Sequence, residues 1–350
     1  MSNTSTSQTL ESKPLAIFII EYVFPVFGPI GIIGNLAIIV GMAKVKCDFS
    51  KSLGFYYIVL AVAEFVEANY CLEGVFYELG IWSLTDGKWK TKLLDLSDWS
   101  CKIFIALFIG SDTVSGFTIV CLGVERVIAM SWPLRAKAIL TFRFSVIFET
   151  IVCTIFLLLE EPLLVMVYDL ENIPFYWTPF CSYNFSLAIT PIYMMIEEAV
   201  PISFTILSFA ITVYLSVKIV FTKYAHHRLT QGSKRSRAES VGATLSAREL
   251  SNVLTLIILN AVNLIIYLPT CFLYLLYSVL SLMPAADINL MNDVYNLGSF
   301  INQLTIIPRS INVFVYLFRS RAFRVALCGK RCACGGASSQ KQQVSSVVRR

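Results

Sequence analysis

The sequence predicts an all-α membrane protein, a seven-transmembrane-helix bundle followed by a short amphipathic helix. Three observations carry this. Of 350 residues, 56% are hydrophobic and only 15% charged, whereas a soluble domain usually carries about 25% charged residues on its surface. The apolar residues are gathered into blocks long enough to cross a hydrocarbon core, not spread along the chain. The connections between the blocks alternate, basic then acidic.

The chain begins with a polar tail, MSNTSTSQTLESKP, without a basic-then-apolar leader, so residues 1–15 are expected to stay as an extracellular tail. Apolar segments follow near 16–43, 53–80, 101–125, 143–167, 189–221, 250–282 and 290–318. Each reaches at least about 20 residues, enough for a core of about 30 Å at 1.5 Å per residue. Glu64, Glu67, Glu73 and Glu78 interrupt the second, and hydropathy alone would allow six spans. No segment alternates apolar and polar residues as a barrel strand does.

Charge sets the orientation and supports seven spans. Lys44, Lys46 and Lys51 follow the first segment; Arg135, Lys137 and Arg143 follow the third. A basic loop at 218–249 follows the fifth, and the tail beyond residue 318 holds arginine and lysine without any acid. The opposite loops hold Asp86, Asp95, Asp98, Glu160, Glu161, Asp169, Glu171 and Asp287. Positive residues stay inside, so the N-terminus is expected outside a multi-pass plasma-membrane protein and the C-terminus in the cytosol. The net charge of +5 is then a topology signal, with no nucleic-acid partner implied. The expected domains are 16–318 as the spanning unit, 319–330 as the amphipathic helix and 331–350 as a disordered tail.

On this topology Cys47, Cys328, Cys332 and Cys334 are cytosolic, and the last three are palmitoylation candidates. Cys71, Cys121, Cys153 and Cys271 lie within spans as small apolar residues. Cys101 and Cys181 remain at the outer, oxidising side, where a bridge would tie the loop before the fifth segment to the top of the third. Asn3 and Asn184 open Asn-x-Ser sequons on that side, as candidate glycosylation sites.

The stretch 121–139, CLGVERVIAMSWPLRAKAI, places Glu125 and Arg126 at the end of a long apolar run. Arg126 follows Cys101 by 25 residues, about 37 Å on one helix, which spans a bilayer. Glu-Arg followed by W-P-L-R resembles the Asp/Glu-Arg-Tyr box and second intracellular loop of rhodopsin-like (class A) G-protein-coupled receptors. The resemblance continues through GIIGNLAIIV with Gly34 and Asn35, LAVAEF with Glu64 at the usual aspartate, Pro201, IIYLP ending at Pro269, and NVFVY from Asn312 to Tyr316. RSRAF then puts Phe323 at the family's offset for its amphipathic eighth helix. The chain departs from the pattern at Val127 for tyrosine, Val313 for proline, Asn263 for phenylalanine and Tyr267 for tryptophan, and its fourth segment has no tryptophan.

The resemblance implies that Glu125, Arg126, Arg135, Asn312 and Tyr316 serve G-protein coupling and activation. The expected core polar network is Asn35, Glu64, Glu67, Asp112, Ser115 and Arg309, in which a guanidinium deep in a span needs an acid and Glu64, Glu67 and Asp112 are the candidates. In the family, the acid of segment two, a serine of segment three and the asparagine of segment seven line a pocket that often holds sodium. Arg309, one turn before Asn312, would serve there as a built-in counter-ion, or else as a structural ion pair without a switching role.

Where the family's amine receptors carry an aspartate this chain has Phe108, and residues 290–318 hold no lysine for a retinal Schiff base. The outer surface is acidic and aromatic, which favours a basic peptide and makes Phe108, Asp112, Trp177, Glu197, Glu198 and Tyr267 the pocket candidates. The expected function is a neuropeptide receptor of the invertebrate type, partnered by a heterotrimeric G protein and membrane lipids, with no cofactor or metal. The alternatives are a transporter or channel using Glu64, Glu67, Asp112 and Arg309, and a non-signalling receptor-like protein. Catalysis is not expected, because the two histidines, His226 and His227, fall in the basic loop away from any acid–base or metal-ligand cluster.

Overall fold

Helix forms wherever the chain runs apolar, because a backbone without water must satisfy its own hydrogen bonds. The computed structural model describes residues 23–44, 51–78, 95–171, 180–184, 187, 189–232, 247–283, 287–319 and 323. In chain order these hold α1 (Phe24–Lys44), α2 (Lys51–Glu78), α3 (Asp98–Ser131), α4 (Pro133–Ile139), α5 (Phe142–Val167), β1 (Tyr168–Glu171), β2 (Phe180–Tyr183), α6 (Thr190–Gly232), α7 (Ala247–Ser281), α8 (Ile288–Gln303) and α9 (Ile306–Arg319).

Among the described residues the regular structure is helical apart from one short antiparallel strand pair, the hairpin, in which Tyr168 faces Tyr183 and Leu170 faces Cys181. Aromatic residues at three of its eight positions suit a pleated ribbon. Helices α1 and α3, with Ile192–Phe221 of α6 and Val253–Ser281 of α7, are long and apolar enough to cross a membrane. Helices α2 and α5 carry Glu64, Glu67 and Glu149 within their length.

The surface carries large apolar side chains, and several charged ones are buried inside. Ile33, Ile265, Phe272 and Phe318 are exposed at 68, 74, 63 and 79%, while Glu64, Glu67, Glu125, Arg126, Glu149 and Arg309 are buried. Apolar side chains outside and polar ones inside suit a hydrocarbon solvent, where charge faces a protein interior.

Neighbouring helices pack in sequence, α1 on α2, α2 on α3, α6 on α7 and α7 on α8, and α9 returns to α1. Helix α3 is central, touching α2, α4, α5, α6, α7 and the hairpin. Ser97 caps its N-terminus, accepting from the Ser100 amide at 3.1 Å. Just inside, Cys101 is bonded to Cys181 of β2. Asp95, three residues before α3, accepts from the Cys181 amide at 3.0 Å, so the hairpin is fixed both to α3 and to the turn that leads into it.

Two features differ from the sequence expectation. The segment 290–318 is broken between Gln303 and Ile306 into α8 and α9. Helix α6 runs eleven residues past 221 to Gly232, through the start of the basic loop. Of the expected amphipathic helix 319–330, Phe323 is described; it is buried against Tyr316, with ring centroids 6.0 Å apart. The tails 1–15 and 331–350, with Asn3, Cys332 and Cys334, lie outside the described residues, and so does Cys328.

Helices α1 and α9 approach closely because glycine lines the contact. A Cβ at Gly34 would stand 2.8 Å from Val313 Cγ1, and Ser310 donates to the Phe27 carbonyl at 2.7 Å across the same seam. Gly34→Leu should therefore force the helices apart, costing about 1–3 kcal/mol as overpacked sites do. A lowered thermal midpoint of the purified chain in nanodiscs checks this; an unchanged midpoint would mean that the seam is loose.

Candidate functional site

The break before α9 positions the most unusual charge in the chain. Pro308 has no N–H and its ring crowds the carbonyl four residues earlier. The local chain answers with tighter turns: Ile307 N donates to Leu304 O at 3.0 Å, and the Thr305 hydroxyl donates to Asn302 O at 2.6 Å. Arg309 follows at once, with 7% of its surface exposed.

A buried guanidinium needs acid partners, and α2 and α3 each supply one. Arg309 Nε lies 2.6 Å from Glu67 Oε2, and its Nη2 donates to Asp112 Oδ1. The same Nη2 donates to Tyr267 Oη at 3.1 Å, and the Tyr267 hydroxyl donates to the same Asp112 oxygen. The guanidinium carbon lies 5.5 Å from the centre of the Tyr267 ring. Helices α2, α3, α7 and α9 thus meet on one cation. Glu67 Oε2 meets Arg309 as an ion pair without an aligned hydrogen bond, and Oε1 has no hydrogen-bond partner.

The arrangement is layered by helical spacing. Glu64 and Glu67 on α2, Asp112 and Ser115 on α3, and Arg309 and Asn312 on α9 are each one turn apart, so each helix presents both members on one face. In the layer nearer the disulfide, Arg309 joins Glu67 and Asp112. In the layer further away, Asn312 Nδ2 donates to Glu64 Oε1, and Ser115 and Glu64 line one cavity. Asn35, expected in this network, is buried, but neither amide atom has a hydrogen-bond partner, so the network does not reach it.

Two cavities flank the cation layer. On the hairpin side, Phe108, Ile109, Thr113, Glu197, Thr270, Cys271, Tyr274 and Asn302 line a cavity. On the far side, Glu64, Ser115, Phe204, Ser208, Asn260, Asn263 and Leu264 line a second one. Asp112, Pro201, Tyr267 and Arg309 line both. Four of the pocket candidates, Phe108, Asp112, Glu197 and Tyr267, therefore line the hairpin-side cavity. Phe108 is stacked on Tyr70 with centroids 4.3 Å apart. Trp177 and the Glu198 side chain lie outside the described residues, as do the side chains that would flank the Asn184 sequon.

At the foot of α3, Arg126 Nη2 donates to Glu125 Oε1 at 3.0 Å, and both are buried. Ser52 of α2 donates to Glu125 Oε2 at 2.8 Å and meets Ser145 of α5 at 2.7 Å. Arg126 Nε and Tyr316 Oη are buried without a hydrogen-bond partner. Arg135 on α4 is exposed.

Sequence reasoning passed over Glu149. Thr118 donates to its Oε1 at 2.6 Å, and it is buried between α3 and α5. It meets the criterion that singles out Glu64, an acid inside an apolar segment, but belongs to no motif. Asn260 of α7, which donates to Thr212 of α6 at 2.8 Å, is equally motif-free.

Arg309→Ala would leave Glu67 and Asp112 facing each other without their cation. Removing one partner of a buried ion pair costs about 3–5 kcal/mol, so the variant should show a collapsed thermal midpoint or lost surface expression, whereas near-native stability would mean that the acids do not depend on Arg309. No family model matches this chain, and neither does any curated protein.

Proposed function

We propose that the chain is a G-protein-coupled receptor of the rhodopsin-like type, with seven spans in the plasma membrane and an extracellular N-terminus. Its ligand is an extracellular neuropeptide carrying positive charge, and its intracellular partner is a heterotrimeric G protein. The reading assigns the chain no catalysis. The observation that carries it is the construction of α3, with Cys101 held to Cys181 at one end and a buried Glu125–Arg126 couple at the other. A disulfide belongs to the oxidising side, and a half-neutralised arginine in a helix foot is a charge that an intracellular partner can draw out.

Two further features support it. The hairpin-side cavity combines the acids Asp112 and Glu197 with Phe108, Tyr267 and Tyr274, a lining suited to a cation beside aromatic rings. The chain's departures from the family's pattern also have local roles: the hydroxyl of Tyr267, standing where the family writes tryptophan, completes the Arg309 cluster.

A second reading, a transporter or channel, is favoured by the two cavities in series on either side of a charged layer. Cells expressing the chain and exposed to a peptide library separate the two. A basic peptide should dissociate the G-protein heterotrimer, Glu197→Lys should weaken that peptide by about tenfold or more, as loss of about 1.4 kcal/mol does, and Arg126→Ala should suppress coupling while peptide binding persists. Ion flux without a G-protein response would overturn the receptor reading in favour of transport.

A further inference from the structure

The wall between the two cavities is a set of ionic contacts, and its parts are unevenly engaged. Arg309 and Tyr267 both donate to the single oxygen Oδ1 of Asp112. Asp112 is the accessible member, with 20% of its side chain exposed against 8% for Arg309 and 0% for Glu67. On the side of Arg309, the buried Glu67 Oε1 has no hydrogen-bond partner. By formal charge, Glu67 and Asp112 outnumber Arg309 by two to one.

We infer that the hairpin-side cavity is a guanidinium-exchange site: a guanidinium entering past Phe108, Glu197 and Tyr274 replaces Arg309 on Asp112, and Arg309 closes onto Glu67. The inference rests on the receptor reading for its biological direction and deepens it by naming the ligand group and the contact it takes.

The exchange is feasible because it is like for like. Bringing a new charge into a low-dielectric interior is costly, chiefly through desolvation. Here a carboxylate that already faces a guanidinium receives another in the same place, while the displaced one keeps its own acid. Glu67 can receive the Arg309 fork through both oxygens, the geometry in which carboxylate and guanidinium pair best. Excess negative charge around the cavity thus makes the second cation welcome where one alone would leave an acid unmatched.

Displacement has a structural consequence. Asp112 is the residue through which α3 holds both Tyr267 of α7 and Arg309 of α9. When Arg309 turns to α2, that wall loses its central contact and the cavity containing Glu64, Ser115 and Asn260 is joined to the one above. A ligand shifts such an equilibrium only by its preference for the displaced state, and that preference here is the contact with Asp112.

The test uses the full chain in nanodiscs, with n-propylguanidinium and its neutral isostere n-propylurea as probes, read as saturable thermal shift. The guanidinium should bind wild type and the urea should not, and Asp112→Asn should remove the guanidinium response. Arg309→Gln, which deletes the internal competitor, should tighten guanidinium binding by about tenfold or more. Arg309→Lys, whose ammonium lacks the planar fork, should tighten it to an intermediate degree and supplies the answer if the glutamine variant does not fold. Unchanged or weaker binding in the Arg309 variants, or equal binding of the urea, overturns the proposal. The assay contains no G protein, so absent coupling in cells would defeat the receptor reading without touching this result, and the reverse holds equally.

Discussion

A guanidinium inside an apolar helix bundle has to be met by acids from other helices, and that requirement organises the interior of this protein. Arg309 cannot be neutralised from α9 alone, since neighbouring positions there are apolar or uncharged. Its partners come from α2 and α3, with a tyrosine from α7 completing the shell. Opposite charges about 4 Å apart interact several times more strongly at an effective dielectric of about 20 than in water. The same environment penalises either acid left alone. The cluster therefore contributes more to which helices meet, and in which register, than to net stability, because the desolvation of three charges offsets much of their attraction.

Register follows from spacing. Three helices each present two polar residues one turn apart, and the layers match: a charged layer of Glu67, Asp112 and Arg309, then a layer with Glu64, Ser115 and Asn312. A slip of α9 by one residue would turn Arg309 about 100° away from both acids. The glycine seam between α1 and α9 and the Ser310 bond to the Phe27 carbonyl hold α9 against such a slip from its other side. At the foot of α3, Glu125 is held by Arg126 and Ser52, and Ser52 reaches Ser145, so α2, α3 and α5 share a second polar anchor. Between these two anchors the core is built around Leu60, Phe117, Leu122, Leu215 and Leu256, with the buried Thr118–Glu149 and Asn260–Thr212 bonds set among them.

Much of this was legible in the sequence, for identifiable reasons. Apolar blocks give helices because there is no water to satisfy an extended backbone. Charges inside those blocks are rare enough that Glu64, Glu67, Asp112 and Arg309 announce themselves, and cysteines at matching depth pointed to Cys101 and Cys181. Which acid meets which base was not legible, because it depends on the relative rotation of separate helices: Arg309 meets Glu67 and Asp112, while Glu64 accepts from Asn312. The break before α9 was also missed, although Pro308 is its local cause, because the apolar run continues across it and hydropathy does not register a missing N–H. Glu149 escaped for the opposite reason. It was visible as an isolated acid, but no neighbouring motif drew attention to it. Asn35 shows the limit of transfer by position, since it is buried where expected yet bonded to nothing there.

The pairing of Arg309 with Asp112 is the claim on which the layered interior, the separation of the cavities and the exchange site all rest. A double-mutant cycle with Asp112→Asn, Arg309→Gln and the double variant, read as thermal midpoint of the full chain in nanodiscs, measures it directly. Residues in one ion-pair network couple by about 0.5–3 kcal/mol, while independent sites add. The account predicts a double variant more stable than the sum of the two single losses allows; strict additivity would contradict it.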